Sequence, residues 1–394
     1  MTTRQLLVIA FLAAIGIASA QKKLDKKIDD ALSQAQSQYS FLSTKVSVGK
    51  YPKTFVKGKL ETSDSGWWCS GFYPGTLLYL DEWKANPKLK SEAQKVLVDL
   101  KREQFNKTTH DLGFMMYCSF GNAERQNPKK EYEEILMNSA KSLISRFNEK
   151  AGCIKSWDPA PWNRANADEM PVIIDNMMNL ELLFWATKHS GDSIYYKIAK
   201  RHADTTIKNH FRPDYSSYHV VIYGIQDGKV RKQITNQGAG DYSAWARGQA
   251  WGLYGYTLMY RETKEKKYLD HAQKIANFIL TNKNLPKDLI PYWDFDTAEI
   301  PNALRDSSAG AIIASALFEL SKYSDEGKSK TYFYAAEQML SALMTPKYLA
   351  KTGENGGFLL KHGVGNMPAA TEIDTPLSYG DYYFVEACLR YKTF

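Results

Sequence analysis

The chain has 394 residues, of which 44% are apolar and 24% charged, a composition typical of a soluble globular protein and not of a disordered or fibrous one. The formal net charge of +8 favours an acidic ligand, but the lysines are scattered and form no stripe of the kind that binds nucleic acid. Aromatic residues make up 13% of the chain, and their flat rings suit the faces of sugars as well as a large core.

The chain begins with the features of a secretory signal peptide. Arg4 precedes an apolar run over 6–17, and Ala18-Ser19-Ala20 has the small residues that signal peptidase recognises. The run is shorter than the roughly 20 residues that a membrane span needs, and no later stretch is long enough. We therefore expect a signal peptide over 1–20, a mature chain over 21–394 that forms one domain without a membrane span, and export to the periplasm.

Apolar residues recur at helical spacing through the rest of the chain, and no convincing run of alternating strand residues interrupts them. This pattern predicts twelve helices. They are expected near 24–41, 71–85, 88–105, 111–123, 130–148, 174–188, 192–210, 243–262, 265–282, 304–322, 328–347 and 378–392.

The loops between these helices alternate in length. Short turns lead into the odd-numbered helices, as between antiparallel neighbours, whereas most segments that lead into even-numbered helices are long. The long segments are 42–70, 149–173, 211–242, 283–303 and 348–377. Six helical hairpins with their long loops on one side predict an all-α fold, an (α/α)6 barrel with the even helices inside. An open superhelix is the alternative, but no sequence period links the hairpins as a solenoid requires.

Two aspartates at the predicted starts of even helices are the candidate acid/base groups. Asp111 could serve as a helix cap instead. Asp175 follows Val-Ile-Ile and precedes Asn-Met-Met, so its alternative role is a buried carboxylate satisfied by the backbone. Burial raises the pKa of a carboxyl toward the range of a proton donor.

Three further features are candidates for binding. His219 lies in a long loop and could be an ordinary loop residue. Arg247 stands between Trp245 and Trp251, where it could stack at the edge of the core or hold a carboxylate-bearing sugar. The four cysteines show no C-x-x-C spacing and no histidine pairing, which argues against a zinc site, and buried thiols or one disulfide are the alternatives.

Taken together, these motifs resemble those of the unsaturated glucuronyl hydrolases of glycoside hydrolase family 88, and the resemblance covers essentially the whole mature chain. Its segments are Gly66-Trp67-Trp68, His110-Asp111, Asp175-Asn-Met-Met-Asn179, Gln237, Trp245-Ala-Arg-Gly-Gln-Ala-Trp251, Asp306-Ser-Ser-Ala-Gly310 and Tyr379-Gly-Asp-Tyr-Tyr383. The resemblance implies the same barrel and an enzyme that removes a 4,5-unsaturated uronic acid from the non-reducing end of lyase-generated, glycosaminoglycan-type oligosaccharides. Such an enzyme hydrates the C4=C5 double bond and needs no metal or organic cofactor.

The resemblance also implies roles for particular residues. Asp175 matches the general acid and base, and Asp111 matches a second essential carboxylate that positions the substrate and helps to keep Asp175 protonated. The substrate-binding positions are Trp68, His110, Phe114, His219, Gln237, Trp245, Arg247 and Trp251. The implied partner is an acidic unsaturated oligosaccharide.

Two departures from the family pattern concern substrate contacts. Asn236 stands before Gln237 where many relatives have histidine, and residues 351–377 contain Lys361 but lack the serines of a Ser-x-Ser-x-Lys motif found in relatives that act on sulfated sugars. The alternative functions are an unsaturated rhamnogalacturonyl hydrolase, against which the intact Trp-Ala-Arg-Gly-Gln-Ala-Trp string argues, and a non-catalytic sugar-binding barrel, against which the presence of both aspartates argues.

Overall fold

The structure is a computed structural model that describes the backbone of residues 3–394 and the side chains of residues 22–394. The start of the predicted signal peptide lies outside the described residues, and from Thr3 its backbone belongs to a helix that continues to Leu42. Cleavage after Ala20 therefore stays a prediction. Among the described residues, no helix is both long and apolar enough to cross a membrane.

Residues 3–394 contain twelve α-helices, and each corresponds to one helix that the sequence predicts. They are α1 (Thr3–Leu42), α2 (Phe72–Trp83), α3 (Pro87–Leu100), α4 (Asn122–Gln126), α5 (Lys130–Ile144), α6 (Leu180–Ser190), α7 (Ser193–Asn209), α8 (Ala246–Thr263), α9 (Lys266–Thr281), α10 (Ser307–Ser321), α11 (Glu326–Leu343) and α12 (Ser378–Lys392). Two of them begin irregularly: a π-helix, Gly113–Gly121, leads into α4, and a 3-10 turn, Ile174–Asn179, leads into α6.

The even-numbered helices close into a ring. Going round it, α2 contacts the π-helix of α4, which contacts α6, and α8, α10 and α12 follow in turn until α12 meets α2 again. Each outer helix packs on an inner neighbour in the chain, as α3 does on α2 and α9 on α8. The closed ring confirms the (α/α)6 barrel and excludes the open superhelix.

Burial separates the inner helices from the outer ones. Every residue of α10 is buried, whereas α9 buries only one face, through Tyr268, His271, Ala272, Ile275, Ala276 and Ile279 at helical spacing. Among the small residues of α10, Gly310 faces the long loop before the helix, where an added Cβ would lie 2.9 Å from the side chain of Ile290.

The sequence predicts no strands, and this prediction is wrong for the long loops. Within residues 3–394, nine short strands occur: β1 (Tyr51–Val56), β2 (Lys59–Ser63), β3 (Phe147–Asn148), β4 (Cys153–Ile154), β5 (Glu169–Ile173), β6 (Val220–Gly224), β7 (Val230–Ile234), β8 (Gly363–Asn366) and β9 (Thr371–Thr375). They pair as antiparallel hairpins, apart from the three-stranded sheet β5-β6-β7. Strands of two to six residues are too short to show a reliable alternation, and β5 and β6 are buried on both faces.

Gly71, which immediately precedes α2, provides a test of the inner-ring packing. A Cβ placed there would lie 2.1 Å from the carbonyl oxygen of Phe114 and 2.3 Å from that of Met115, both in the π-helix. Because backbone cannot move aside as a flexible side chain can, we expect Gly71→Ala to lower the free energy of unfolding by about 1–3 kcal/mol or more.

The matched control is Gly327→Ala on the outer helix α11, where the nearest atom to the new Cβ is an Asp325 carboxylate oxygen at 3.6 Å. That change should leave stability unchanged or raise it by up to about 1 kcal/mol through helix propensity. Urea unfolding followed by circular dichroism measures both. Equal midpoints for Gly71→Ala and the wild type would contradict the packing of α2 against the π-helix.

Candidate active site

Asp175 is placed at the mouth of the barrel by the central sheet. Strand β5 pairs with β6 up to Ile173 and Val220, and the N–H of Ile174 donates to the carbonyl of His219 at 3.0 Å. The chain then turns into the 3-10 turn that carries Asp175, whose exposure is only 7%. Burial raises the pKa of this carboxyl to about 7, opposed by the positive charge of Arg247 and assisted by the negative charge of Asp111.

His219 lies beside Asp175 as a neutral donor. Its Nδ1 accepts the backbone N–H groups of Asn236 at 3.2 Å and Gln237 at 3.3 Å, so the proton of the neutral ring is on Nε2. Nε2 lies 3.7 Å from Asp175 Oδ2. Burial, with Arg247 nearby, holds the pKa of His219 well below its usual range, so the ring stays uncharged. Its N–H faces the oxygen that becomes negative when Asp175 gives up a proton.

The second carboxylate, Asp111, is held by its own neighbours in the chain. Thr109 donates its hydroxyl to Asp111 Oδ2 at 2.9 Å, and the Nε2 atom of His110 lies 3.2 Å from Oδ1. His110 is fully buried and its Nδ1 lies 2.9 Å from the carbonyl oxygen of Ser156, to which it must donate. The structure thus places His110 behind Asp111, fully buried, and does not place it at the open mouth.

An aromatic wall lines one side of the mouth. Trp68 contacts Tyr379 at 4.9 Å and Phe114 at 5.5 Å between ring centroids, and Phe114 contacts Trp251 at 5.0 Å. Trp68 is the partly exposed member, whereas Phe114 and Trp251 are buried. The structure therefore brings these predicted binding residues together, with Trp68 as the ring that can touch a sugar and the others as its support.

Most contacts of the Arg247 guanidinium are with other groups of the protein. Its guanidinium lies 3.2 Å from Asp306, donates to the carbonyls of Val364 and Gly365 in the β8–β9 hairpin, and stacks 4.4 Å above Trp245. The side chain is 1% exposed, and its Nε–H is the donor without a partner among the described residues. Gln237 donates to the same Gly365 carbonyl at 2.9 Å. Both residues thus fasten the hairpin at the mouth.

Two tryptophans that the sequence did not single out also belong to this surface. Trp157 lies edge-on to His219 at 5.9 Å, and Trp162 packs on Trp157 at 4.9 Å while 62% of its surface is exposed. Trp245 contacts His219 from another side at 4.5 Å. The signal for the missed pair was the tryptophan and proline content of the long loop before Asp175.

The cysteines form no disulfide and belong to no cluster of potential metal ligands within residues 22–394. All four cysteines are free thiols, so the disulfide left open by the sequence is absent. No three histidine, cysteine, aspartate or glutamate side chains of this region converge as metal ligands would.

No family model matches the chain. The chain is 45% identical over 376 residues to the unsaturated glucuronyl hydrolase of Formosa agariphila, covering 94% of this chain and 92% of that protein. It is 33% identical over 334 residues to the unsaturated chondroitin disaccharide hydrolase of Streptococcus pneumoniae, covering 83% and 82%. Among solved structures, an unsaturated glucuronyl hydrolase specific for heparin superposes with a TM-score of 0.90 at 46% identity, over 94% of this chain and 98% of that one.

The raised pKa of Asp175 predicts how stability depends on pH. Between about 4 and about 7 the folded protein keeps a proton that the unfolded chain, with an ordinary value of 3.8, has lost, so wild-type stability falls as pH rises through this window. The carboxyl's contribution to this loss is on the order of 4 kcal/mol. Asp175→Asn cannot ionise, so relative to the wild type it should gain stability as pH rises.

Denaturant unfolding of both proteins at pH 4.5 and at pH 8 tests this, with the difference between them as the readout. The comparison cancels the titration of groups that do not interact with Asp175. A difference that is the same at both pH values, or that shifts in favour of the wild type between pH 4.5 and pH 8, would show that the Asp175 carboxyl is not held protonated by burial.

Proposed function

The chain belongs to the family of unsaturated glucuronyl hydrolases, and we propose that it is a glycosidase that releases the 4,5-unsaturated uronic acid from the non-reducing end of lyase-generated, glycosaminoglycan-type oligosaccharides. One observation supports this chemistry above all: Asp175 is a buried carboxyl with a pKa of about 7 beside a neutral imidazole, at the mouth of the barrel. Such a group can both give and take a proton near neutral pH.

The reaction begins with transfer of the Asp175 proton to C4 of the C4=C5 double bond. Positive charge then builds on C5 and the ring oxygen, while Asp175 becomes a carboxylate. The Nε2–H of His219, 3.7 Å away, stabilises that carboxylate, because its proton already faces Oδ2. Water adds at C5 and returns a proton to Asp175, and the hemiketal formed opens and expels the remaining saccharide. No carboxylate nucleophile is required.

Asp111 and Arg247 complete the site. The negative charge of Asp111 helps to keep Asp175 protonated, and its partly exposed carboxylate, held by the Thr109 hydroxyl, can accept hydrogen bonds from hydroxyl groups of the sugar. Arg247 supplies positive charge to a substrate that carries a carboxylate, with its Nε–H as the donor that the protein leaves unused. The aromatic face of Trp68 suits the flat unsaturated ring.

From the predicted signal peptide we further propose that the enzyme acts in the periplasm. The support is the arrangement of Arg4, the apolar run over 6–17 and Ala18-Ser19-Ala20. A mature N-terminus at Gln21 in periplasmic extract would agree with this location, and full-length protein in the cytoplasmic fraction would contradict it.

Asp175→Asn should keep the fold and bind substrate but lose turnover by about 10²–10⁴-fold, because an amide can neither deliver nor accept the proton. The measurement is the loss of ultraviolet absorbance of the conjugated acid with unsaturated disaccharides from chondroitin, hyaluronan and heparin lyases. Asp204→Asn on the outer helix α7, where Asp204 accepts the Tyr268 hydroxyl, is the control and should keep wild-type turnover.

Two outcomes would count against the proposal. Folded Asp175→Asn with more than roughly a tenth of wild-type turnover would remove Asp175 from the acid/base role. A wild-type protein that binds these disaccharides and turns over none of them would favour the non-catalytic barrel.

Hydration at C5 has an isotopic signature that ordinary glycoside hydrolysis does not share. In D₂O the proton on Asp175 exchanges with solvent, so one deuterium should appear on C4 of the uronate product. In H₂¹⁸O the label should enter at C5 as the new keto oxygen, and the glycosidic oxygen should leave with the released saccharide. Mass spectrometry of early product reads both labels, and product without carbon-bound deuterium would exclude the vinyl-ether route.

A further inference from the structure

Arg146 is a buried arginine to which the proposed reaction assigns no role. It lies between the end of α5 and strand β3, and only 7% of the residue is exposed. Its ion-pair partner is Asp158 at 3.5 Å, whose side chain is 61% exposed and also pairs with Lys155 at 2.6 Å. A guanidinium that is removed from water with one long, exposed ion pair needs further compensation inside the protein.

Three backbone carbonyl groups provide this compensation. Arg146 Nη1 donates to the carbonyl of Lys107 at 2.6 Å, Nη2 to that of Ser156 at 3.1 Å and Nε to that of Lys155 at 2.9 Å. Lys107 lies in the short loop that leads to the π-helix, whereas the other two residues follow β4 in the long loop before β5. The planar guanidinium, with its donors in a fixed fork, therefore sets the distance between two loops.

The hydroxyl group of Ser156 extends this connection to Asp175. Its oxygen accepts the N–H of Ile173 at 3.0 Å and lies 3.4 Å from Asn176 Nδ2, so it binds the chain on both sides of the acid. The backbone N–H of Ser156 donates to the carbonyl of Pro171 at 3.0 Å. All four partners are buried, so water cannot replace a lost contact. The position of Asp175 therefore depends on where Ser156 is held.

The same carbonyl of Ser156 is also connected to the second carboxylate. It accepts the Nδ1–H of His110 at 2.9 Å, and His110 immediately precedes Asp111. Burial lowers the pKa of Arg146, and the negative charges of Asp158 and Asp111 oppose this effect. The guanidinium therefore lies within electrostatic reach of Asp111, without an ion pair to it.

We propose that Arg146 is a positioning residue that sets the separation of Asp111 from Asp175. It acts through two carbonyl groups, those of Lys107 and Ser156. This inference rests on the proposed function, in which Asp111 helps to keep the acid protonated. A lysine cannot replace the arginine, because its ammonium is a point charge on a flexible stem. A displacement of about 1 Å in a catalytic group can lower turnover about a hundredfold.

The first test needs no substrate. Arg146→Lys keeps the positive charge and loses the fork, so it isolates the geometry. Burial raises the pKa of Asp175, Arg247 opposes this and Asp111 adds to it, while the neighbouring His219 is neutral. If Asp111 moves away, we expect Asp175 to ionise at a pH lower than in the wild type by roughly half a unit or more. Carbon-13 NMR of aspartate-labelled protein measures this, with Asp175→Asn to assign the signal.

Turnover of unsaturated disaccharides is the second measurement. Arg146→Lys should lower kcat by at least about tenfold, while KM stays within about threefold of the wild type, because the aromatic wall and Arg247 are unchanged. The remaining activity should be lost at a lower pH than in the wild type, since the acid loses its proton earlier.

A second variant approaches the same connection from the side of Asp175. Ser156→Ala removes the acceptor of the Ile173 N–H and leaves the carbonyl groups that bind Arg146 in place. It should shift the ionisation of Asp175 in the same direction, because the acid loses its fixed distance from Asp111. If Arg146→Lys does not fold, this variant decides the question, and a wild-type ionisation in it would overturn the proposal.

The matched control is Arg390→Lys in the last turn of α12, whereas the mouth lies at the start of that helix. Arg390 also donates to a backbone carbonyl, that of Ser315 at 2.8 Å, and pairs with Glu319, and its side chain is 17% exposed. The control should leave the ionisation of Asp175 and kcat unchanged. Wild-type ionisation in Arg146→Lys, or an equal shift in the control, would overturn the positioning role. A wild type without turnover contradicts only the proposed function, because the NMR measurement does not depend on turnover.

Discussion

The removal of Asp175 from water is the constraint on which the site depends. A carboxyl with a pKa of about 7 requires burial without a direct cationic partner, because an adjacent guanidinium would restore an ordinary acidic value. Arg247 is close enough to lower the pKa, yet its charge is shared with Asp306 and with the carbonyls of the β8–β9 hairpin. The contacts that fasten the hairpin therefore also weaken the effect of Arg247 on the pKa of Asp175.

Other buried carboxylates of the barrel have hydrogen-bond or ion-pair partners that Asp175 lacks. This contrast supports the proposed role of Asp175. Glu319 is paired with Arg261 and Arg390, which lower its pKa. Asp381 has a pKa raised to about 7, as Asp175 has, but it accepts the Leu359 and Leu360 N–H groups and the Tyr39 hydroxyl. Its hydrogen bonding is satisfied by the protein. A raised pKa alone does not indicate catalysis. Asp175 differs from Asp381 in having a buried oxygen, Oδ2, without a hydrogen-bond partner, and this difference supports its proposed role.

The barrel, and the position of the two aspartates at the starts of inner helices, could be predicted because long helices and loop lengths repeat over many residues. The short strands could not, because β5 reads as Glu-Met-Pro-Val-Ile and is buried on both faces, so it offers no alternation. The hydrogen-bond partners of individual side chains could not be predicted either. His110 and Arg247 are predicted to bind the substrate, and that prediction says nothing of the hydrogen bond of His110 to Ser156 or of the contacts of Arg247 with the hairpin, which depend on segments far apart in the chain.

The spacing of the two carboxylates follows from a close approach of two inner helices. A Cβ at Gly113 would lie 2.4 Å from the Cα of Asn179, so only glycine lets the π-helix approach the 3-10 turn this closely. Asn179 accepts the N–H of Phe114 at 3.1 Å through its side-chain oxygen, which fixes the register of this contact. Asp111 lies two residues before Gly113, and Asp175 four residues before Asn179. The Asp-Leu-Gly-Phe and Asp-Asn-Met-Met-Asn motifs are therefore two halves of one contact, which brings the charge of Asp111 within reach of the acid whose proton it helps to retain.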